Sequence, residues 1–299
     1  MLGNVMSQIM PLGPGDPTRI GQFTLTGRLG EGGQGIVYLG RNEMDEWAAV
    51  KLLHVKFSGD AIARSRFARE LRAAQRVAGF CTAQVLMADL EGDTPYIASE
   101  YIEGRSLRET VEADGPLRGE ALGRLAVGTA TALTAIHRAG IVHRDFKPDN
   151  VLLAADGPRV VDFGIARIVD STGTITSRAI GTPAYLAPEQ VAGGGVGPPA
   201  DMFSWGATMM YAATGKSAFG GGSIAATLNR ILNGDVDVSV LAAPLNRVVR
   251  ACLSKRAADR PTADRALLGL LGLPESDDAS AVVLSRGARI AGAGRRFPG

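Results

Sequence analysis

The first hundred residues show the alternation of apolar and polar positions that is typical of β-strands. Phe23 and Leu25 alternate with polar residues, and the apolar run Ile36–Leu39 follows a glycine-rich stretch at residues 30–35. Because successive side chains of a strand point to opposite faces, the pattern predicts a hairpin with the glycines between its strands. Two more strands are predicted, at Trp47–Lys51 and Thr94–Ser99.

Helical spacing of the apolar residues replaces this alternation in other segments. A helix is predicted at about Asp60–Ala78, between the strands, and another at Gly119–Ala139, where Gly140 is a natural stop. A third, buried helix is predicted at Ala200–Thr214.

The two ends of the chain follow neither pattern. Proline and glycine are frequent in residues 11–20, so residues 1–20 are predicted to be a flexible leader, extended or disordered. Residues 274–299 are rich in arginine, glycine and alanine and are predicted to be a disordered tail, or a juxtamembrane linker if the chain is cut before a membrane segment. No run of about 18 apolar residues occurs, so no membrane segment is predicted in this chain.

Composition narrows the class of protein. Of 299 residues, 45% are hydrophobic and 21% are charged, which suits one two-lobed domain or two small domains with a substantial core. A formal net charge of +2 gives no reason to expect a nucleic acid as partner. Cys81 and Cys252 match no metal-binding spacing, so we expect two reduced, buried thiols rather than a disulfide.

Candidate chemistry is concentrated in residues 142–150. Asp145 supplies an acid, Lys147 a cation and Asn150 an amide oxygen, on a segment that Pro148 keeps from being helical. Transfer of a phosphoryl group to a hydroxyl needs such a set, because the acid orients the hydroxyl, the cation stabilises the moving group and the amide oxygen binds a metal ion. Asp162, twelve residues after Asn150, adds a second carboxylate that suits the same metal.

The glycine-rich stretch suits a phosphate-binding role. Its glycines are Gly30, Gly32, Gly33 and Gly35. They would let backbone amides approach phosphate oxygens without an intervening Cβ. Such a motif alone is a weak indication, because it also fits a dinucleotide-binding turn or a flexible hairpin. No helical pattern follows it, however, and the next strand ends in Lys51, which argues against the dinucleotide-binding turn.

These segments together resemble the eukaryotic-type Ser/Thr protein kinases of bacteria. Residues 143–150 match the catalytic loop H-R-D-x-K-P-x-N, residues 162–164 match D-F-G, and residues 181–189 match the G-T-P-x-Y and A-P-E segments. The resemblance covers about residues 20–273, with Phe146 where leucine is commoner. It implies an α+β fold, the bilobal protein-kinase fold: a small, mainly β N-lobe at 21–103 that contains the family's helix αC, and a larger, mainly helical C-lobe at 104–273.

The resemblance also implies a set of functional residues. ATP would bind between the lobes, and Mg²⁺, with Mn²⁺ as an alternative, would bridge its β- and γ-phosphates. The implied catalytic residues are Asp145, Lys147 and Lys51. The implied metal ligands are Asn150 and Asp162. The implied nucleotide-binding residues are Gly30, Gly32, Gly33, Gly35, Val37, Ala49, Lys51, Glu70, Glu100, Ile102 and Leu152.

Plainer interpretations compete with several of these roles. Lys51 could be the solvated end of a strand, and Glu70, a single acid in an arginine-rich helix, could balance its neighbours instead of aiming Lys51. Asp201 resembles the aspartate that braces the catalytic loop, or it is an N-cap. Arg260 resembles the arginine that pairs with the A-P-E glutamate, here Glu189.

Ser99 directly precedes the segment Glu100–Ile102, which resembles the hinge whose backbone binds adenine. The family commonly carries methionine or another bulky side chain at this position, so a serine is predicted to leave a pocket open behind the adenine. The alternative is that Ser99 turns into the lobe and bonds a backbone group, which would leave no cavity.

Substrates and regulation also follow from the resemblance. The partners would be ATP, protein substrates with Ser or Thr acceptors, and a second copy of the chain that autophosphorylates in trans. Its activation loop would be modified at Thr174 or Thr176, because Arg144, Arg167 and Arg66 match positions that converge on such a phosphate. The expected location is the cytoplasm, or the cytoplasmic part of a membrane-anchored protein if the chain is truncated.

Three other functions are compatible with parts of the pattern. A small-molecule phosphotransferase of kinase-like fold would share the catalytic loop but lack Lys147 and the G-T-P-x-Y and A-P-E segments. A pseudokinase scaffold typically loses Lys51, Asp145 or Asp162, all of which are present. A tyrosine kinase is disfavoured by Lys147 and by Thr182 in the docking segment.

Overall fold

The computed structural model of the protein describes residues 9–32, 35–53, 61–77, 79–89, 95–163, 183–274 and 277–292. They form two compact units, with a boundary along the chain between Glu103 and Gly104. Residues 79–82 belong to the second unit although they precede that boundary. In these described ranges, none of the helices combines the length and the apolar character that crossing a bilayer requires.

In its described residues, the first unit is a six-stranded antiparallel sheet with one helix. Its strands are β1 (Arg19–Ile20), β2 (Phe23–Gly32), β3 (Gly35–Arg41), β4 (Trp47–Leu53), β5 (Val85–Asp89) and β6 (Tyr96–Glu100), in the spatial order β1-β2-β3-β4-β6-β5. Helix α1 (Ala61–Ala74) lies between β4 and β5 in sequence. The core of the unit consists of Ile20, Phe23, Leu25, Tyr38, Ala48, Val50, Tyr96 and Ala98.

Residues 9–20 take the extended form, one of the two predicted alternatives, but they are held against the sheet and are not a flexible leader. Met10 pairs with Arg28 of β2 through two backbone N–H···O bonds of 3.0 and 2.7 Å. The side chain of Asp16, 3% exposed, is held by Arg28, and β1 pairs with the start of β2. Proline favours an extended backbone, so the residues that suggested disorder also permit an extended segment to dock on the sheet.

The second unit is mainly helical and contains a three-stranded sheet of β7 (Gly104–Ser106), β8 (Val151–Ala154) and β9 (Gly157–Val160). Its helices are α2 (Leu107–Asp114), α3 (Gly119–Arg138), α4 (Pro188–Val191), α5 (Pro198–Thr214), α6 (Ile224–Asn233), α7 (Leu245–Cys252), α8 (Ala263–Leu271) and α9 (Asp277–Gly292). Helix α5 is almost wholly buried, and its Trp205 donates a hydrogen bond of 2.8 Å to Thr129 of α3. The predicted α+β class, with a mainly β and a mainly helical part, is confirmed.

The prediction of a disordered tail is wrong for residues 277–292, which form α9. Val283 and Ala291 are buried, and α9 packs against α3 and α8. A Cβ built on Gly287 would lie 2.1 Å from Oγ1 of Thr131, so only glycine permits this approach of α9 to α3. The small residues that resembled a disordered composition are therefore contact residues between two helices.

Candidate active site

Three of the predicted nucleotide-binding residues, Val37, Ala49 and Lys51, lie on one face of the sheet of the first unit. Val37 of β3 is opposite Lys51 of β4, and Ala49 of β4 is opposite Ser99 of β6. Directly opposite residues of antiparallel strands point to the same face, as do residues two apart on one strand. These four side chains therefore share a face, whereas Tyr38 points into the core on the other. The register thus places Ser99 on the face that the predicted pocket behind the adenine requires.

Lys51 is not a solvated strand end. It lies on β4, which pairs with β3 on one side and β6 on the other, and the residue is only 9% exposed. Glu70 is half-buried on α1, one turn after Phe67, whose side chain is fully buried and anchors that helix face. Both residues belong to the first unit, and the pairing of Lys51 with Glu70 remains a prediction.

The glycine-rich stretch has both a close backbone contact and open space. Gly35 has φ +146°, and a Cβ there would lie 1.9 Å from the carbonyl oxygen of Leu52, so the position requires glycine. A Cβ on Gly30 or Gly32 would meet no described atom within 4 Å, which leaves room for a ligand beside the backbone. Gly33, also predicted to bind phosphate, lies outside the described residues.

The predicted adenine-binding segment follows β6. The backbone N–H of Glu100 donates to the carbonyl of Gln84 at 2.8 Å, which fixes the end of the strand. Ile102, two residues on, is buried. In the second unit, Leu152 is half-buried on β8, opposite Ser106 of β7. Adenine contacts at Glu100, Ile102 and Leu152 remain predictions.

Residues 142–150 bring the predicted catalytic side chains together. Nζ of Lys147 lies 2.9 Å from Oδ2 of Asp145, and both side chains are 22% exposed, so the ion pair is accessible to a substrate. Asn150 donates from Nδ2 to the backbone carbonyl of Asp145 at 2.8 Å. A carbonyl can only accept, so this bond orients the amide and directs Oδ1 of Asn150 away from the loop backbone.

The predicted metal ligands supply oxygen atoms. Asp162 is exposed and has φ +57°, and the ring of the buried Phe163 after it lies 6.5 Å from that of His143. A carboxylate from Asp162 and an amide oxygen from Asn150 are hard oxygen donors of the kind that Mg²⁺ accepts. The chemistry of this donor pair therefore fits the predicted ion.

Asp201 fixes the backbone of the catalytic loop through hydrogen bonds to its carboxylate. Its carboxylate, on the first turn of α5, accepts backbone N–H bonds from His143 at 2.7 Å and from Arg144 at 2.8 Å. It also lies 2.8 Å from Nε2 of His137 on α3. Arg144 has φ +65°, a conformation that costs about 1–3 kcal/mol and persists only where neighbours enforce it. The predicted bracing role of Asp201 is confirmed by these bonds.

The imidazole of His143 is fully enclosed beside the catalytic aspartate. Burial lowers its pKa below the ordinary value, against the opposing effect of nearby Asp201 and Asp145. A neutral ring follows, and its Nδ1 accepts a long bond of 3.4 Å from the backbone N–H of Asp145. His143 therefore supports the loop backbone without adding a charge to the site.

The predicted pair of Arg260 with Glu189 is also confirmed. The guanidinium donates to both carboxylate oxygens, at 2.7 and 2.8 Å, and the arginine side chain is fully buried. Its remaining N–H groups donate to backbone carbonyls of Pro199, Ser254 and Lys255 at 2.8–3.0 Å. This pair ties the A-P-E segment to the loop before α8.

A second charged cluster was missed by the sequence analysis. Arg108 of α2 makes a bidentate ion pair with Asp149 of the catalytic loop, at 2.7 and 3.0 Å. Its guanidinium lies 5.3 Å from the ring centroid of Tyr211 on α5. Burial raises the pKa of Tyr185, and the positive charge of nearby Arg108 partly offsets that rise. Arg108 thus connects the catalytic loop with the docking segment that contains Tyr185, and no sequence pattern links positions so far apart.

Comparison with known proteins supports the family resemblance. The family model described as protein kinase domain matches residues 23–268. The probable serine/threonine-protein kinase PkwA of Thermomonospora curvata is 47% identical over 90% of this chain and 36% of its own length. The serine/threonine-protein kinase AfsK of Streptomyces coelicolor is 43% identical over 82% of this chain and 31% of its own length. The chain thus spans about a third of these relatives.

Among solved structures, the crystal structure of Rad53 1–466 in complex with AMP-PNP is similar. Its TM-score is 0.67 with 25% sequence identity, over 82% of this chain and 64% of that chain.

Proposed function

Since the chain belongs to the protein kinase family, we propose that it transfers the γ-phosphoryl group of ATP to Ser or Thr hydroxyls of protein substrates. The observation that carries the proposal is the cluster of Asp145, Lys147 and Asn150, braced by Asp201. The names of similar proteins, serine/threonine-protein kinases, support the same acceptor class. A cytoplasmic location is part of the proposal, and the free, buried Cys81 and Cys252 are consistent with a reducing compartment.

The proposed mechanism relies on positioning and charge. Asp145 orients the acceptor hydroxyl and takes its proton late in the transfer. Lys147, 2.9 Å from Asp145, offsets the charge that spreads over the transferring group. Lys51 and the amides of the glycine-rich stretch hold the phosphates. Glu70 orients Lys51.

Asn150 and Asp162 would hold the metal ion. Mg²⁺, or Mn²⁺ in its place, would neutralise charge on the β- and γ-phosphate oxygens. Within the described ranges, no group of three or more His, Cys, Asp or Glu side chains could hold a metal ion. Two protein oxygen ligands would leave positions for phosphate oxygens and water, the usual arrangement for Mg²⁺ beside a nucleotide.

The decisive test compares wild type with Asp145→Asn. Incubation with ATP and Mg²⁺ followed by phosphosite mapping should find phosphoserine or phosphothreonine on protein acceptors, with transfer slower by roughly 10²–10⁴ in the variant. Asp156→Asn, the same change at an exposed turn between β8 and β9, is the matched control and should be as active as wild type. Equal activity of wild type and Asp145→Asn would refute the mechanism, and phosphate only on small molecules would refute the acceptor class.

We also propose activation by autophosphorylation in trans, at Thr174 or Thr176. Both threonines, Arg167 and the side chain of Arg66 lie outside what the structure describes, whereas Arg144 is half-buried on the catalytic loop. A phosphate of about −1.5 to −2 charge could pair with these arginines and order the loop. The double variant Thr174→Ala, Thr176→Ala should lose activation after preincubation with ATP, and an unchanged time course would contradict the proposal.

A further inference from the structure

The segment Met10–Asp16 is attached to β2 through a compact polar network around Asp16. Arg28 donates from Nε and Nη2 to the two oxygens of Asp16, at 2.6 Å each. Tyr38 donates its hydroxyl to Oδ1 at 2.8 Å, and the backbone N–H of Gly13 donates to Oδ2 at 2.7 Å. Bonding to Arg28 holds the pKa of Asp16 well below its usual range, so the carboxylate accepts all four bonds in its charged form.

A close backbone contact attaches the same segment independently of Asp16. Gly27 is buried, and a Cβ there would lie 2.8 Å from the backbone oxygen of Met10 and 2.4 Å from Cγ2 of Ile9. The glycine therefore leaves the space in which the leader backbone lies. Leu12 adds an apolar contact with the core of the sheet.

Arg28 connects this network with the glycine-rich stretch. While Nε and Nη2 bind Asp16, Nη1 donates to Oε2 of Glu31 at 3.1 Å, and Glu31 stands between Gly30 and Gly32. The pairing of β2 with β3 shifts register between Leu25 and Gly27 and again between Arg28 and Gly30. Strand β2 is thus irregular on both sides of Arg28. This residue is bonded to the segment Met10–Asp16 through its backbone, to Met10, and through its side chain, to Asp16.

We propose that Met10–Asp16 is a strap that positions the phosphate-binding stretch, so that nucleotide affinity depends on its docking. The inference rests on the proposed function, because it takes residues 30–35 as the phosphate-binding element. With the strap docked, Arg28 is fixed by the carboxylate of Asp16 and by the backbone of Met10. Its remaining Nη1 group then binds Glu31. With the strap released, two register shifts leave this part of β2 poorly determined, and the stretch samples conformations that do not bind phosphate.

The test uses two variants that release the strap by different means. Asp16→Asn removes the charge that grips Arg28, and Gly27→Ala places a methyl group against Met10. Glu43→Gln, which removes an exposed ion pair with Arg19, is the control. The measurements are the Kd for a non-hydrolysable ATP analogue, KM for ATP, kcat at saturating ATP, and hydrogen exchange of amides 28–38 without nucleotide.

Both strap variants should exchange these amides faster and should raise the Kd and KM for nucleotide about three- to tenfold, because the binding-competent fraction falls by that factor. Values of kcat at saturation and of KM for the acceptor should stay near wild type, a split that a general loss of structure would not produce. Glu43→Gln should match wild type throughout.

Unchanged exchange in both variants, or faster exchange with unchanged nucleotide affinity, overturns the strap proposal. A wild-type protein that binds no ATP analogue would instead refute the proposed function. Faster exchange in the variants would then still show that the leader orders this stretch, so the two failures are distinguishable.

Discussion

Replacement of Arg260 by methionine should destabilise the second unit by about 3–5 kcal/mol, the cost of removing one partner of a buried ion pair. The arginine side chain is fully buried, and its partner Glu189 is 18% exposed. Methionine retains much of the apolar volume, so the expected loss comes from charge and hydrogen bonding and not from an empty cavity.

The magnitude can be argued from the bonds of Arg260. All five of its N–H groups have acceptors: the two oxygens of Glu189 and the backbone carbonyls of Pro199, Ser254 and Lys255. Each buried group left without a partner costs about 1–3 kcal/mol. Water can reach part of the Glu189 carboxylate, so the total should be smaller than the sum of five such losses.

Urea unfolding provides the assay, followed by the fluorescence of the buried Trp205 in a Trp47→Phe background. With a slope of ~3 kcal/mol per M, the midpoint should fall by about 1–2 M. Arg256→Met is the matched control, since the Arg256 side chain is 80% exposed and lies 3.7 Å from Asp259. Exposed pairs contribute little, so the control should stay near wild type. A midpoint for Arg260→Met equal to that of the control would refute the reasoning.

Three further predictions concern other parts of the chain. Burial raises the pKa of Cys81 to about 12 and raises that of Cys252 as well, so neither thiol should react with iodoacetamide at pH 8 until urea is added; rapid alkylation of the folded protein would contradict this. Ser99→Met should weaken an ATP-site inhibitor with a bulky group behind the adenine by about 0.8 kcal/mol per displaced methylene-sized group, with ATP affinity unchanged; equal inhibitor Kd values for both proteins would mean that no pocket exists. Gly287→Leu should overpack α9 against α3 and lower the free energy of unfolding by about 1–3 kcal/mol, whereas Ser285→Leu on the exposed face should leave it unchanged. Equal unfolding midpoints for the two variants would contradict the packing of α9.

Much of the candidate site was predictable because its bonds are local. Lys147 and Asn150 contact Asp145 from two and five residues away, so a contiguous motif already contains the partners. Asp201 and Arg260 act across 58 and 71 residues. They were identified only because a family resemblance supplies the long-range pairing that spacing alone does not.

The Arg108–Asp149 pair could be predicted neither from local spacing nor from the family motifs. The two residues are 41 positions apart, and neither stands in a motif that names the other as its partner. An arginine on a short helix fits a solvated surface equally well, and only the packing of α2 beside the catalytic loop makes it a contact of Asp149. Long-range ion pairs outside family motifs depend on tertiary structure, which the pattern of apolar positions determines only coarsely.

The errors at the two ends have a common physical cause. Proline and glycine near the start predicted an extended or disordered leader, and arginine, glycine and alanine near the end predicted a disordered tail. The same residues allow close backbone approach and extended conformations, and whether these are used depends on what lies opposite. Gly27 and Arg28 accommodate the leader, and Thr131 of α3 receives Gly287. Order in such segments is therefore decided by their docking surfaces, which lie elsewhere in the sequence, so composition alone cannot distinguish a docked segment from a free one.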